Sequence, residues 1–365
     1  MEPKPTTGSR AFGTVVTKNY VAYARVLADS IRRFHADPIY VVSVDGWEGC
    51  PDAAGEPFTR LSLDDLVPRA DDAMRFYYTA FELCNAARAY LHKFLLDRTD
   101  ADAWLYIDAD VLVTAPLDDA FERMAAPVCG LVSPHVLEPC DGRIAEPVET
   151  SLQRFGIYNS GFLAMRRSPG AATFIAWFVD RLKTLCFFME HDVNCDQLWL
   201  NYVPLYFPMI ETWRHPGANV AYWNLHERTL TRSPAGYLAN GEPLLFIHFS
   251  RWRYEAPEDW TFGRSTTPGT DRSIIRESGL AYRDALAAAG HDACRGLCYG
   301  FGTFADGRPI IKPMRRRYYD MVKGGTAGAE SPFSHPEWFP TNRVADMVKK
   351  MLPQRLKDFV RSMIS

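Results

Sequence analysis

Short apolar runs alternate with segments of helical periodicity in the first part of this chain. The runs AFGTVVT at 11–17 and PIYVVSVD at 38–45 are apolar and rich in β-branched residues, which is typical of buried strands. Between them, apolar residues recur at helical spacing from Tyr20 to Phe34, and Asn19 stands at the N-cap position. A strand, a helix and a second strand predict a βαβ unit, and therefore a parallel sheet with helices on its faces.

The same alternation continues through the middle of the chain. Thr79 and Glu82 form a T-x-x-E capping box, which predicts the start of a second helix. That helix leads into AWLYIDADVLV at 103–113, which is predicted to be one continuous strand. Further predicted elements are strands at 158–167 and 243–250 and an apolar helix at 171–188. The pattern predicts an α/β fold, in which ligands bind at the carboxyl ends of the strands.

The sequence changes character towards both ends. Residues 1–10 are polar and are predicted to be a loose tail, while 256–340 is predicted to be an irregular, aromatic-rich extension. In 341–365 an apolar stripe at helical spacing accompanies an excess of basic residues, Arg343, Lys349, Lys350, Arg355, Lys357 and Arg361. Such a helix can lie at the surface of an anionic membrane or can pack on its own domain.

Composition narrows the class of protein. The 365 residues include 41 basic and 44 acidic side chains, for a net charge of −3, which argues against a nucleic-acid partner. No run approaches the roughly 18–20 apolar residues of a transmembrane helix, and the N-terminus lacks the apolar core of a signal peptide. The eight cysteines show no convincing metal-binding spacing, so a reduced, cytoplasmic protein is expected.

Two aspartates interrupt the apolar strand at 103–113. Buried carboxylates are costly unless they are neutralised, and Asp108 and Asp110, as residues i and i+2 of an extended strand, would face the same way. Two adjacent carboxylates repel each other unless a cation lies between them. A hard divalent ion such as Mg²⁺ or Mn²⁺ fits these oxygen ligands and commonly shares its shell with phosphate oxygens.

The D-x-D pattern also has other interpretations. In phosphatases of the haloacid-dehalogenase type the first aspartate is a nucleophile, but that motif normally opens its domain, whereas here a βαβ unit precedes it. A sugar-nucleotide pyrophosphorylase would carry a Gly-rich, Arg-containing loop after its first strand, and VTKNYVAY has none. A third interpretation is a degenerate domain that binds a nucleotide or a glycan without catalysis.

Five ordered segments within 11–252 resemble a known enzyme group. VTKNYVAYARVLADSIRRF, WLYIDADVLV, YNSGFLAM, CDQLWLNYV and LLFIHFS are similar to segments of GT-A glycosyltransferases of the glycogenin- and galactosyltransferase-like family 8. The resemblance implies a GT-A fold, a Rossmann-like, mostly parallel mixed sheet with flanking helices, as a catalytic domain at 11–255. It also implies metal-dependent transfer of one sugar from a nucleotide-sugar, with UDP-sugars favoured, to a glycan hydroxyl.

The resemblance also implies roles for individual residues. Asp108, Asp110 and His248 would bind Mn²⁺ or Mg²⁺, and Asp196 and Gln197 would lie at the reacting face. The residues implied for donor binding are Thr17, Asn19, Tyr20, Arg88, Asp108, Asn159, Gly161 and Arg251, with Arg253 as an alternative to Arg251. Gly161 is expected to be glycine because a side chain there would collide with the sugar.

The mechanism and the biological setting stay more open. After His248 the chain continues HFSRWRYEAP, without the lysine–proline–tryptophan cluster of the family. Retention is favoured, and an inverting enzyme would need a base from His191, Asp192 or Asp196. Trp223, Trp252 and Trp260 are expected to stack on sugars or to belong to the core.

Segments 215–228 and 299–310 resemble bacterial enzymes of surface-polysaccharide assembly, which implies a glycan or lipid-linked glycan acceptor at the inner face of the plasma membrane.

Overall fold

A mixed seven-stranded sheet forms the centre of the structure, a computed structural model that describes residues 8–51, 55–190 and 193–339. The strands of the described residues are β1 Arg10–Val16, β2 Ile39–Ser43, β3 Thr59–Ser62, β4 Ala103–Ile107, β5 Val111–Val113, β6 Gly130–Pro134, β7 Tyr158–Arg166, β8 Phe188–Glu190, β9 Val193–Asn194, β10 Ile210–Thr212, β11 Leu230–Ser233, β12 Gly236–Ala239, β13 Glu242–Pro243 and β14 Phe246–His248. The central sheet has the order β10-β6-β7-β4-β1-β2-β3. Only β7 runs antiparallel to its neighbours, β4 and β6, so the predicted mostly parallel α/β sheet is confirmed.

Helices cover both faces of this sheet. The described α-helices are α1 Val21–Arg32, α2 Leu63–Leu66, α3 Met74–Tyr77, α4 Ala80–Arg98, α5 Asp118–Arg123, α6 Gly142–Phe155, α7 Pro169–Leu182, α8 Val203–Tyr206, α9 Arg272–Ala288, α10 His291–Cys294 and α11 Lys312–Lys323. Side chains alternate along each strand, so Phe12 and Leu105 join one apolar cluster with α1 and α9, while Ala11 and Trp104 join another with α4 and α7. Because both faces are buried, the strands are continuous apolar runs in the sequence.

The predicted βαβ unit and the second helix are both confirmed. Strands β1 and β2 pair in parallel with Val15 opposite Val42, and α1 connects them. The capping box is present at the start of α4, where Thr79 Oγ1 accepts from Glu82 N and Glu82 Oε2 accepts from Thr79 N. These short-range signals depend on neighbouring residues alone, which is why the sequence shows them.

The predicted continuous strand at 103–113 is wrong. The chain leaves β4 at Ile107 and turns through Asp108–Asp110, with Val111 N donating to Asp108 O at 3.2 Å. It then enters β5, which pairs with β14 outside the central sheet. The two aspartates therefore lie on a turn and not on an extended strand, because the residues after the turn find their partner strand elsewhere.

Two other predicted boundaries also differ from the structure. The predicted strand at 243–250 divides into β13 and β14, because each half pairs with a different neighbour. The helix predicted at 171–188 is α7, which begins at Pro169 after the Ser168 N-cap and ends at Leu182. Tyr78 Oη donates to the carbonyl of Leu182 at 2.8 Å and takes one of the acceptors at this helix end.

The extension at 256–340 is more helical than the sequence analysis predicted. It contains α9 and α11, and Tyr282 of α9 stacks on Phe249 with the ring centres 4.1 Å apart. The apolar spacing of Ile274, Ile275, Tyr282 and Leu286 was the overlooked signal for α9.

The predictions for the two termini are mostly outside the described residues. At the N-terminus β1 already begins at Arg10, and Ser9 N donates to Asp102 Oδ2 at 3.0 Å, so this part of the predicted tail at 1–10 is bound to the sheet. Residues 1–7 and the basic segment 341–365 lie outside the described ranges. Across the ranges that are described, no helix has the length and apolar character needed to cross a bilayer.

A buried ion pair joins the extension to the start of α4. Arg316 Nη2 lies 2.6 Å from Glu82 Oε1, and Glu82 is fully buried. The same carboxylate accepts from Phe188 N at 2.9 Å, and Arg316 also pairs with Glu190. One carboxylate therefore holds the N-terminus of α4, the β8–β9 hairpin and α11 together.

We expect Arg316→Met to destabilise the fold by about 3–5 kcal/mol, because it leaves Glu82 charged and buried without its partner. Urea denaturation followed by circular dichroism measures this change. The control is Arg276→Met, since the Arg276–Glu258 pair is exposed and should contribute less than about 1 kcal/mol. Equal unfolding midpoints for the two variants would show that α11 does not depend on this pair.

Candidate active site

The site lies at the carboxyl ends of three parallel strands. Thr17 follows β1 and Asp45 follows β2, at the ends of the strands predicted at 11–17 and 38–45, and Asp108 follows β4. Open α/β sheets bind their ligands at the carboxyl ends of the parallel strands. From the opposite side, the end of β14 brings His248 to the same place.

Asp108, Asp110 and His248 converge at the carboxyl end of β4. One ligand atom from each lies within 4.8 Å of the other two. His248 Nε2 is 3.1 Å from Asp110 Oδ1 and 3.9 Å from Asp108 Oδ2. The β5–β14 pairing sets this geometry, because it places His248 opposite Val111, and Phe249 N donates to Asp110 O at 2.8 Å. The sequence-predicted ligands are thus brought together by a strand pair that the sequence analysis did not predict.

The electrostatics of this group favour a bound cation. Burial raises the pKa of Asp110, but the adjacent His248 lowers it by more, so the net shift of the pKa is downward. Burial lowers the pKa of His248, and the Asp110 and Asp108 carboxylates outweigh it, so the net shift is upward. Two carboxylate oxygens and an imidazole nitrogen are a suitable donor set for Mn²⁺ or Mg²⁺.

Arg88 balances the charge of two aspartates. Its Nη2 lies 2.7 Å from Asp108 Oδ1, and its Nη1 lies 2.9 Å from Asp196 Oδ2 and 2.7 Å from Ser160 Oγ. Tyr106 Oη also donates to Asp108 Oδ1, at 2.6 Å. Burial lowers the pKa of Arg88, and the two aspartates reverse this and hold the pKa well above its usual value. Arg88 therefore contacts carboxylates of the chain itself, while Oδ2 of Asp108 is left facing His248.

Asp196 and Gln197 are connected to Arg88 through Ser160. Asp196 is 1% exposed, and burial raises its pKa although Arg88 opposes the shift. Gln197 Nε2 donates to Phe155 O at 2.7 Å, and its Oε1 accepts from Ser160 N at 3.3 Å. A 3-10 helix, Gln197–Tyr202, follows Asp196, whose side chain makes no capping bond. Ser160 links both residues to Arg88, and the sequence analysis did not single it out.

Protein atoms alone already exclude a side chain at Gly161, and the expected collision with the sugar stays a prediction. A methyl group at its Cα would lie 2.7 Å from Asp108 Oδ2, Asn159 Oδ1 and His248 Cε1. The atoms that exclude a side chain are therefore the candidate ligands and their neighbour. Asn159 Oδ1 accepts from Gly161 N at 3.1 Å, both residues being part of β7.

The end of β1 provides an exposed aromatic surface beside this group. Thr17 Oγ1 donates to Asn19 Oδ1 at 2.6 Å. Tyr20 is 47% exposed and stacks on Tyr23, and burial together with the charge of Asp110 raises its pKa. These residues therefore lie at the end of β1 near Asp110, and their contact with a nucleotide stays a prediction.

The extension reaches the end of β2. Asp45 Oδ1 accepts from Lys18 N at 2.8 Å, and Asp45 Oδ2 accepts from Gly300 N at 3.0 Å. A methyl group at Gly300 would lie 2.9 Å from the Asp45 carbonyl oxygen, so the two backbones approach closely. Gly300 lies in the segment 299–310 that the sequence analysis had noted without a structural role.

Of the other candidates, Arg251 and Arg253 make no ion pair with Asp108, Asp110 or His248 in the described part of the chain. Arg251 is exposed with φ 62°, and no carboxylate of the described residues pairs with it. Arg253 lines a separate cavity together with Glu255 and Phe262. His191 and Asp192, the suggested bases, lie outside the described residues.

The three tryptophans considered as sugar platforms occupy different environments. Trp260 and Trp252 belong to the core, where Trp260 Nε1 donates to Ile275 O at 3.0 Å and Trp252 Nε1 to Pro257 O at 3.3 Å. Trp223 is half-buried, and its ring lies edge-on to that of His248, with the centres 5.2 Å apart. Only Trp223 therefore touches the candidate site.

Comparison with known proteins gives distant likenesses only. No family model matches the chain. The uncharacterized protein YfnF of Bacillus subtilis strain 168 is 25% identical over 166 residues, which are 45% of this chain and 54% of that protein. The chain thus matches about half the length of this curated relative.

Three solved structures that are similar to this chain are glycosyltransferases. The galactosyltransferase LgtC, in complex with donor and acceptor sugar analogues, gives a TM-score of 0.44 at 15% identity over 77% of this chain and 95% of LgtC. GlyE of Streptococcus pneumoniae TIGR4 gives 0.41 at 15% identity, over 79% of this chain and 64% of GlyE. A glycosyltransferase involved in the glycosylation of the major capsid of PBCV-1 gives 0.39 at 10% identity, over 74% of this chain and 99% of that protein. At these scores the likenesses decide neither family nor activity.

We expect Gly161→Ala to weaken Mn²⁺ binding by about 10–100-fold, because the new methyl group displaces Asp108 and His248 from each other. Electron paramagnetic resonance titration of free Mn²⁺ measures the dissociation constant. Gly296→Ala, at a glycine without a positive φ and with no neighbouring atom within 4 Å, serves as the control for general glycine loss. Unchanged Mn²⁺ affinity in Gly161→Ala would mean that these two ligands tolerate the displacement.

Proposed function

We propose that the protein is a metal-dependent glycosyltransferase that moves one sugar from a nucleotide-sugar, with UDP-sugars favoured, to a glycan hydroxyl. The observation that carries this proposal is the convergence of Asp108, Asp110 and His248 at the carboxyl end of β4. The five ordered segments that resemble family 8 support the same activity. In this proposal residues 11–255 form the catalytic domain, and 256–340 is an extension that supports it.

The three residues fit a divalent cation. Arg88 and Tyr106 occupy Oδ1 of Asp108, whereas its Oδ2 faces His248 Nε2 and Asp110 Oδ1. Mn²⁺ or Mg²⁺ held by these atoms would bind diphosphate oxygens and offset the charge that develops on the departing nucleoside diphosphate. Such stabilisation by charges already in place is commonly the largest contribution to catalysis.

The remaining site residues would bind and orient the two substrates. Thr17, Asn19 and Tyr20 would hold the base and ribose, since Tyr20 presents an exposed ring at the end of β1. The residues nearer the sugar would be Asn159, Gly161, Asp196 and Gln197, with Arg88 fixing the position of Asp196. Arg251 would reach the diphosphate, because it is an exposed cation on the loop after His248.

Retention of configuration is part of this proposal on the strength of the resemblance to family 8. Asp196 is buried and its carboxylate pairs with Arg88, so it is a poor candidate for the base that takes the acceptor proton. In a retaining reaction the leaving phosphate accepts that proton, and no strong protein base is needed.

We expect Asp110→Ala to lower kcat/KM at least about 100-fold, because it removes a direct cation ligand and outer-shell changes alone cost 10–100-fold. The measurement is release of nucleoside diphosphate from a panel of nucleotide-sugars with Mn²⁺ and glycan acceptors. Asp292→Ala is the control, since Asp292 is an exposed carboxylate on α10. Equal turnover by wild type and Asp110→Ala would contradict the proposal.

The same assay separates the two alternatives. A non-catalytic nucleotide- or glycan-binding domain would bind nucleotide and release no diphosphate with any donor. A D-x-D phosphatase would hydrolyse a small phosphoester through an aspartyl-phosphate at Asp108.

The proposed setting is the synthesis of a bacterial surface polysaccharide on the cytoplasmic side of the membrane, with a glycan or lipid-linked glycan acceptor. This rests on the similarity of segments 215–228 and 299–310 and on the basic, amphipathic pattern of 341–365, which lies outside the described residues. Peripheral contact of 341–365 with anionic lipid would bring the enzyme to such an acceptor.

Full-length protein should partition onto anionic vesicles more strongly than residues 1–340, because basic side chains contribute about 1 kcal/mol each near an anionic surface. Sedimentation with phosphatidylglycerol-containing vesicles measures the bound fraction, and neutral vesicles are the control. Equal binding by the two proteins would remove the membrane role of 341–365.

A further inference from the structure

The segment 215–228, HPGANVAYWNLHER, forms a support around His248. Asn219 Oδ1 lies 3.1 Å from His248 Nδ1, and both side chains are buried. We propose that Asn219 is a positioning residue that fixes the imidazole of His248 so that its Nε2 faces Asp108 and Asp110 as a metal ligand. This inference rests on the metal site of the proposed function and assigns it a further residue.

The hydrogen bond selects one form of the imidazole ring. An amide oxygen can only accept, so Nδ1 of His248 carries the hydrogen that it donates to Asn219. In the neutral ring the lone pair is then on Nε2, the nitrogen that lies 3.1 Å from Asp110 Oδ1. A metal-ligating histidine usually makes such a bond through its other nitrogen, and the partner holds both tautomer and ring orientation.

The backbone around Asn219 holds this side chain in place. Asn219 has φ 54°, a left-handed conformation that asparagine tolerates better than most residues with a β-carbon. The next residue is tied to β14, because His248 N donates to Val220 O at 2.8 Å and Val220 N donates to Phe246 O. The carbonyl of Asn219 accepts from Asn224 Nδ2 at 2.9 Å. The residue and the histidine that it contacts are therefore parts of one hydrogen-bonded unit.

Two further residues of the segment explain its close fit to β14. Gly217 O accepts from Leu245 N at 2.8 Å, and a methyl group at Gly217 would lie 1.9 Å from Pro243 O. The ring of Trp223 lies between those of His248 and His135, 5.2 Å from each centre and nearly perpendicular to both. The imidazole is thus confined by an aromatic edge on one side and by the Asn219 acceptor at Nδ1.

The test compares substitutions that separate the acceptor from the backbone conformation. Asn219→Gly keeps the left-handed backbone and removes the acceptor, whereas Asn219→Asp keeps an acceptor oxygen at the same place. The matched control is Asn240→Gly, because Asn240 also has a left-handed backbone (φ 52°) but is exposed and bonds to Thr229 and Glu227. All three are made in the full-length protein.

The readout is the Mn²⁺ dissociation constant without nucleotide, measured by electron paramagnetic resonance, together with the thermal unfolding midpoint. We expect Asn219→Gly to bind Mn²⁺ about 10–100-fold more weakly than wild type, the usual loss for an outer-shell partner. Asn219→Asp should bind at least as tightly as wild type, and Asn240→Gly should be unchanged. Unfolding midpoints close to that of wild type would exclude a merely structural effect.

Each outcome decides between the inference and the proposed function. Wild-type affinity in Asn219→Gly would overturn the role of Asn219 and leave the metal site intact. Should Asn219→Gly fail to fold, Asn219→Asp decides alone, because a tenfold loss of affinity despite a remaining acceptor would overturn the role. If wild type and Asp110→Ala bind Mn²⁺ equally, the metal site itself is wrong, and the proposed function fails independently of Asn219.

Discussion

The balance of charge at the carboxyl end of β4 is the constraint on which the rest of the site depends. Asp108 and Asp110 are partly buried and Asp196 is buried, and carboxylates in such places are costly unless they are paired. Arg88 takes one oxygen of Asp108 and one of Asp196, and His248 faces the remaining oxygen of Asp108 and the carboxylate of Asp110. Between Asp108, Asp110 and His248 a bound cation would offset the negative charge of the two carboxylates.

The surrounding fold holds the members of this group from separate directions. Arg88 is on α4, whose N-terminus is fixed by Glu82 and, through it, by Arg316 of the extension. His248 is followed by Phe249, which stacks on Tyr282 of α9. The region after 256 therefore contacts the elements that carry both partners of the aspartates, α4 with Arg88 and the end of β14 with His248.

The close contacts and hydrogen bonds described at this site are made between groups of the protein itself. The space at Gly161 is used by Asp108 and His248, and Asn219 holds the far side of the imidazole. A site that is positioned to this degree loses little free energy in reorganisation when a charged ligand binds, which is the condition under which fixed charges are most effective. The proposed transfer of a sugar and the proposed role of Asn219 both follow from this positioning.

The sequence by itself determined the elements whose signals are local: the β1–α1–β2 unit, the capping box of α4, the α/β class and the D-x-D pair. His248 was expected as a partner of that pair only because of the resemblance to family 8. Only the tertiary structure decided that Asp108–Asp110 form a turn, that β5 leaves the central sheet to pair with β14, and that Arg88 joins Asp108 to Asp196. Apolar periodicity reports which face of an element is buried, but it does not report which distant strand becomes its neighbour. Asn219 lies 29 residues before His248 in the chain, and nothing short of the folded backbone brings its amide to the imidazole.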